Sequence, residues 1–390
     1  MSNPFVEPEE RQELRRQVAR LAATYGQEYF LRKARSGQKT TELWLELGRN
    51  GYLGVNLPEE HGGGGGGLGD VAAVLEEVAS AGCPLLLMVV SPAICGTVIA
   101  RYGTPAQQQR WLPGIADGTA TMAFAITEPD AGTNAHNITT TARRDGDAWV
   151  LTGRKVYISG LDEAENVLVV ARAEDSRSGR LAPCLFVVPT DAPGLEFTPI
   201  AMDFVSPETQ FQVFIDDVRL PSDALVGDQR GAGGGLEMLF AGLNPERIMA
   251  ASFATGLARF ALTKAAAYAT ERAVFDAPIG SHQAIAHPLA QAHIQVELAR
   301  LMTQKAAALV DAGDDQAAGE AANMAKYAAA EACCFAVDTA VHTFGGNGLT
   351  QEYGMGALIA ASRVMRIAPV SKEMILNFIA MHSLGLPKSY

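Results

Sequence analysis

Several common classes of protein are excluded by what this chain lacks. It has 31 lysines and arginines against 43 aspartates and glutamates, a formal charge of −12. With no basic excess and no dominant Lys/Arg cluster, it offers no surface for phosphate backbones and is not a general nucleic-acid binder. There are five cysteines in 390 residues, at Cys83, Cys95, Cys184, Cys333 and Cys334, and none has CxxC or metal-finger spacing. Buried thiols in a reducing compartment account for them. The histidines, His61, His136, His282, His287, His293, His342 and His382, are scattered without ligand spacing, so no metal site is expected. The longest apolar run, Pro84 to Ala100, is interrupted by Ser91, Pro92, Gly96 and Thr97, which suits buried helix ends and not a membrane span. The opening MSNPFVEPEERQELRR is acidic and polar, unlike a secretory signal or an Arg-rich transit peptide. A cytoplasmic location is expected.

What is present is enough to fold. A chain 48% hydrophobic and 19% charged buries a large core, divided over two or three domains. From about Pro8 to Gly118 the spacing is helical, as in RQELRRQVARLAA and VAAVLEEVAS, apart from the glycine run Gly62 to Gly67. That run reads as a flexible surface loop, since no Lys-Ser/Thr follows it as a phosphate loop requires. From about Thr121 to Gly227 short β-branched runs alternate with turn signals, as in AWVLTGRKVYIS, NVLVVARA and CLFVVP, predicting a small antiparallel β domain. GDQRGAGGG, Gly227 to Gly235, reads as a linker, and alanine-rich helical patterns follow to Tyr390. Those helices carry more than one apolar stripe and should form a bundle with a face left for another subunit. The expected fold is α+β, mostly α, with helical residues 1–120, a β domain over 121–228 and a helical bundle over 229–390.

The segment FAITEPDAGTN, Phe124 to Asn134, concentrates the chemistry. Phe124 to Ile126 enter the core as a strand, Pro129 and Asp130 suit a type I turn, and Gly132 permits positive φ or close approach to a ligand. Thr127 and Thr133 place hydroxyls on either side of the turn. By itself this is either a polar cofactor loop or an ordinary strand-to-turn corner.

Together with three other segments it resembles the acyl-CoA dehydrogenase family, over nearly the whole chain and in the family's order. FAITEPDAGTN is similar to the family's TEPxAGSD loop, GRKVYISG (Gly153 to Gly160) to its GxKxWITN strand, RAVFDAPIGSHQ (Arg272 to Gln283) to RxxFGxxIxxxQ, and HTFGGNGLTQEY (His342 to Tyr353) to QxxGGxGYxxEY. The resemblance implies an N-terminal helical domain, a middle antiparallel β-barrel-like domain and a C-terminal four-helix bundle. It further implies one FAD per subunit in a homotetramer, or a homodimer, with electrons passing to an electron-transfer flavoprotein or similar acceptor.

Carried over by position, Phe124, Ile126, Thr127, Gly132 and Thr133 would line the flavin, with Thr133 also at the substrate mouth. Tyr157 stands where the family commonly has a ring-stacking Trp, and Ser159 at the Thr facing flavin N5. Arg272 and Phe275 would reach the FAD of a neighbouring subunit, Arg272 at the pyrophosphate. His342, Gly345, Gly346 and Ser371 complete the implied cofactor set; the glycines also suit a helix C-cap.

The implied reaction is α,β-dehydrogenation of an acyl thioester, on CoA or an acyl carrier protein, with a carboxylate removing the α-proton. In many members that Glu lies in a C-terminal segment whose counterpart here is IAPVSKE, and Pro369 occupies its position. Proline also lacks the backbone N–H that, with a flavin ribityl hydroxyl, polarises the thioester carbonyl in the family, so either the Val370 N–H substitutes through a shifted loop or the oxyanion is held differently. The isovaleryl and long-chain branches carry the base on the helix after the β domain, and GLNPERI, Gly242 to Ile248, offers Glu246 there. Locally, Asn244 suits an N-cap and Pro245 the first helical position, which places Glu246 in a first turn. An acid there either complements the helix terminus or serves as base; the terminus would lower its pKa and apolar burial would raise it. Asn244 and Arg247 match substrate-contacting positions. Two alternatives of the same fold stand beside this reading: a flavin-dependent monooxygenase, which the missing C-terminal Glu would suit, and a non-catalytic subunit of a hetero-oligomer.

Overall fold

A computed structural model describes residues 7–174, 179–227 and 235–388. Helices come first: α1 (Glu9–Ala23), α2 (Gly26–Arg35), α3 (Thr41–Arg49), α4 (Leu68–Ser80), α5 (Thr97–Tyr102) and α6 (Pro105–Asp117). The apolar run predicted as buried helix ends is a π-helical stretch, Val89–Gly96, leading into α5. Local chemistry sets the limits of α6 well. Thr104 and Gln107 form a capping box, Pro105 fills the first turn and Gly118 ends the helix at φ 77°.

Seven strands follow: β1 (Met122–Ala125), β2 (Thr141–Asp145), β3 (Ala148–Ser159), β4 (Asn166–Glu174), β5 (Leu181–Pro189), β6 (Leu195–Ile200) and β7 (Gln210–Pro221). They form one curled sheet in the order β1-β4-β2-β3-β7-β6, with β5 also on β4. Most pairs are antiparallel as expected, but β1 lies parallel to β4, and a single pairing of Thr141 with Arg172 joins β2 to β4 in the same sense. The chain returns to β4 through β2 and β3 instead of by a hairpin, so β1 and β4 run the same way.

The remaining helices are α7 (Gly235–Glu271), α8 (Gln283–Asp311), α9 (Asp315–Phe344), α10 (Ala357–Ile367) and α11 (Lys372–Phe378), with a two-strand hairpin, β8 (Ala273–Val274) and β9 (Ala277–Pro278), between α7 and α8. Helices α7, α8, α9 and α10 pack together, and α7 also packs on α4 and on the π-helical stretch. The expected linker falls, except for its end residues, outside the described residues.

Two cores result. On β4, Val167, Val169 and Ala171 point into the curl of the sheet beside Trp149, Phe186 and Val213, whereas Leu168 and Val170 face the helices. Burial on both faces explains why NVLVVARA reads as a continuous apolar run. The helical layers are tied by a buried ionic cluster: Glu77 of α4 takes Arg15 of α1 and Arg259 of α7, each at 2.8 Å, and Glu76 takes Arg300 of α8 at 2.6 Å. All five cysteines are buried. Among the described residues no helix is long and apolar enough to cross a membrane.

The glycine run differs from the flexible loop its composition predicts. Its amides donate to the preceding turn, Gly64 to the Gly54 carbonyl at 2.9 Å and Gly66 to that of Val55 at 2.8 Å. A Cβ on Gly63 would lie 2.1 Å from the Leu57 carbonyl oxygen. Glycine is used there because backbone packs on backbone.

Candidate functional site

Three groups of the expected residues are assembled by the fold. The first joins FAITEPDAGTN to GRKVYISG. The predicted turn is present, with Glu128 and Ala131 exchanging backbone hydrogen bonds of 3.2 and 3.1 Å around Pro129 and Asp130. Val156 N–H donates to the Thr127 carbonyl at 3.0 Å, so the end of β1 lies beside β3 where β3 breaks register with β7. Tyr157 sits in that break at φ 59°, a conformation costly for a bulky residue, with its ring 60% exposed. Ser159, two residues on, shares hydrogen bonds with the Gln210 side-chain amide at 2.9 and 3.1 Å. Phe124 is buried, Ile126 and Thr127 are half-buried, and Gly132 and Thr133 are exposed.

Beneath this corner lies an ion pair that the sequence did not reveal. Lys155 is 0% exposed and donates to Glu128 Oε1 and the Ile126 carbonyl, both at 2.9 Å. Glu128 also accepts from the amides and hydroxyls of Thr139 and Thr140, at 2.6 to 2.9 Å. Burial works against ionisation of Glu128, but the Thr140 and Thr139 hydrogen bonds and the Lys155 charge outweigh it and hold its pKa at about 2. Burial lowers that of Lys155 to about 8 despite Glu128. Glu128 therefore anchors its loop.

The second group lies at the far end of α7. Phe275 and Asp276 connect β8 and β9 with φ of 53° and 61°, the double positive φ of a type I′ hairpin turn, yet neither is glycine. Phe275 is 90% exposed, and Arg272 beside it is exposed too. Four residues before Arg272, Tyr268 stacks on Phe344 with centroids 4.3 Å apart, and its hydroxyl accepts from the Asn347 amide at 3.0 Å. This brings the hairpin close to the exposed turn Gly345–Gly346, where His342 is exposed and a Cβ on either glycine would meet no atom within 4 Å. Gly345 adopts φ 59°, ψ −136°, a region open essentially to glycine. Among the described residues no hydrogen bond or ring contact links this second group to the first.

The third group surrounds Glu246. The Asn-Pro-Glu signal does not start a helix: α7 begins at Gly235 and runs through Pro245 to Glu271, so Asn244 is no N-cap and Glu246 lies well inside the helix. Packing against α4, α8, α9 and the π-helical stretch holds α7 together across the proline, overriding the local stop signal. The opposed influences on Glu246 are thereby resolved, since no helix terminus is near to lower its pKa. Burial raises it to about 7, against the lowering influence of Arg247 and Lys326. Among the described residues nothing hydrogen-bonds or ion-pairs with its carboxylate. Its charge reaches Cys95 of the π-helical stretch, whose thiol donates to the Ala123 carbonyl of β1 at 3.5 Å.

Arg247 donates to the Leu243 carbonyl at 3.1 Å and to Asn244 Oδ1 at 3.2 Å, while its buried Nε lacks a partner. Lys326, in the alanine-rich middle of α9, donates to the Val370 carbonyl. It therefore joins this group to the segment holding Pro369, and the sequence gave no hint of it. Ser371 caps α11, accepting from the Met374 amide at 3.4 Å.

A half-buried carboxyl whose pKa is raised to about 7, an exposed ring on a strained bulge and a glycine turn facing open space suit a flavoprotein oxidoreductase. The residues fit FAD: Tyr157 presents a ring face, Thr127 and Thr133 supply hydroxyls, and Gly345 and Gly346 let a pyrophosphate approach the backbone. Comparison with known proteins narrows the class. Profiles for the acyl-CoA dehydrogenase N-terminal, middle and C-terminal domains match residues 8–119, 123–217 and 233–384, and the chain belongs to that family. It is an acyl-CoA dehydrogenase that uses FAD. It is 64% identical over 386 residues to acyl-CoA dehydrogenase FadE12 of Mycobacterium tuberculosis, covering 99% of each chain. A glutaryl-coenzyme A dehydrogenase bound to glutaryl-CoA superposes with a TM-score of 0.93 at 28% identity, over 98% of this chain and 97% of the other. A glutaryl-CoA dehydrogenase from Mycobacterium smegmatis in complex with FADH2 gives 0.89 at 25% identity, over 100% and 97%.

Proposed function

We propose that the chain oxidises an acyl-CoA thioester between Cα and Cβ, with Glu246 as the base that removes the α-proton. The observation that carries this reading is the state of Glu246: a carboxyl on α7 whose pKa burial raises to about 7, with no hydrogen bond among the described residues and within the electrostatic reach of Lys326 on α9 and Cys95 on the π-helical stretch. A base works best with a pKa near the operating pH, and an unpaired carboxylate has its lone pairs available. FAD, when bound, would supply the acceptor for the β-hydride.

The other residues divide the remaining tasks. Phe124, Ile126, Thr127, Gly132, Thr133, Tyr157 and Ser159 hold and orient the flavin, Lys155 and Glu128 fixing the corner beneath them. Asn244, Arg247 and Thr133 receive the thioester and its carrier. Pro369 has no N–H to donate, so the Val370 amide takes the thioester oxygen, while Val370's own carbonyl is engaged by Lys326.

Arg272, Phe275, His342, Gly345 and Gly346 serve the FAD of a neighbouring subunit, which fits a Phe275 ring left almost wholly bare on a strained turn. Ile294, Leu298 and Leu301 form an exposed apolar stripe on α8 that a second copy would cover, in a homotetramer or homodimer. Electrons would leave to an electron-transfer flavoprotein or a similar acceptor in the cytoplasm.

The test is anaerobic flavin bleaching by a panel of acyl-CoA thioesters. Glu246→Gln should slow bleaching about 10²–10⁴-fold with FAD retained. Bleaching at the wild-type rate would remove Glu246 from the role, and reduction by nicotinamide alone would favour a monooxygenase.

A further inference from the structure

Lys326 is a costly residue for its place. Its side chain is 1% exposed within the AANMAKYAAA stretch of α9, where its neighbours Ala322, Ala325, Ala329 and Ala330 build core. A buried ammonium is destabilising unless partners compensate, and a methionine would fill the same space at no electrostatic cost. Its direct bond is to the Val370 carbonyl, which crosses from α9 to the segment between α10 and α11.

The charged groups facing it come from three helices. Glu246 and Arg247 lie on α7, Glu373 on α11, and Glu331 one turn along α9. Glu331 is occupied by Arg366 at 2.7 Å and Lys372 at 3.8 Å, and Glu373 is exposed. Glu246 and Glu373 are therefore the facing carboxylates with no cation bonded to them among the described residues, and of the two Glu246 is the less exposed. Burial, then Arg247, lower the Lys326 pKa to about 8, so it remains mostly cationic at neutral pH.

We propose that Lys326 is a positioning residue for α-proton removal, fixing residues 368–371 through the Val370 carbonyl and placing a positive charge in the field of the Glu246 carboxylate. The inference rests on Glu246 being the base. Lys326 touches no reacting atom: its bond orients the backbone that receives the thioester oxygen, and its charge favours the ionised base. Arg247 turns its guanidinium back onto Leu243 and Asn244 on its own helix instead.

The test uses holoenzyme and an acyl-CoA with sulfur in place of the β-carbon, which can lose an α-proton but cannot pass on a β-hydride. Exchange of its α-hydrogens with D2O is followed against pH by mass spectrometry, alongside FAD content and melting temperature. Lys326→Met should move the midpoint of exchange upward by about one pH unit, a roughly tenfold loss of rate on the acid side. Lys326→Gln, which keeps a donor for Val370 but no charge, should give the same shift, and Lys326→Arg should restore the wild-type midpoint. An unmoved midpoint in both neutral variants overturns the proposal, whatever happens to the melting temperature. If Glu246→Gln still exchanges at the wild-type rate, the base itself is misassigned; if it abolishes exchange while the Lys326 variants leave the midpoint in place, only the role of Lys326 falls.

Discussion

The molecule holds two buried Lys–Glu arrangements that look alike in composition and behave in opposite ways. Under the β1–β3 corner, Glu128 meets Lys155 at 2.9 Å and takes four further hydrogen bonds from Thr139 and Thr140. Between α7 and α9, Glu246 feels Lys326 and Arg247, among the described residues, only through space. Both lysines are lowered to about 8 by burial, yet the carboxyls part, Glu128 falling to about 2 and Glu246 rising to about 7. Hydrogen bonds to the charged form, more than a neighbouring cation, decide which way a buried carboxyl goes. A fully satisfied carboxylate is an anchor, and an unsatisfied one is a candidate base.

The comparison breaks most visibly at Lys155. Lys155→Met leaves Glu128 charged and buried without its cation and should cost about 3–5 kcal/mol in urea unfolding of the holoenzyme. A cost under about 1 kcal/mol would mean that the threonines alone hold the corner. The second effect is smaller and depends on pH. Because the folded-state pKa of Glu246 lies above its ordinary value of 4.5, the native state holds its proton longer, and wild-type stability falls as pH rises from about 4.5 to about 7. At pH 8, Glu246→Gln should therefore unfold about 1–3 kcal/mol later than wild type, with the difference vanishing near pH 4. Glu128 works in the other direction, contributing stability above pH 4.5 that is lost as pH falls toward about 2. A Glu246→Gln variant less stable than wild type at pH 8 would show that the carboxylate is satisfied after all.

How far the sequence went differs between these two places. Residues whose role depends on neighbours in the chain were legible: the strand entered at Phe124 and the Glu128–Ala131 turn that follows it both come from local chemistry. Glu246 was singled out by the resemblance of GLNPERI to a family base position and not by its local signal, which the fold discards. Asn-Pro-Glu reads as a helix start, whereas tertiary packing carries α7 through it. Lys155 and Lys326 were missed because their meaning lies in distant partners, 27 residues away at Glu128 and 44 at Val370. In sequence, one looks like an outward strand residue and the other like the solvated lysine of an alanine helix. The glycine run was misjudged for a related reason, since composition cannot distinguish a loop that lacks side chains for freedom from one that lacks them to let backbone pack on backbone.

The central claim is that Glu246 is the base and titrates near neutrality. The rate of flavin reduction by a good acyl-CoA substrate, measured in single turnovers from pH 5 to pH 9, tests it directly. The account predicts a rate that rises with pH through an inflection near 7 in the wild type and a slow profile lacking that inflection in Glu246→Gln. An inflection near 7 that persists in Glu246→Gln would contradict it.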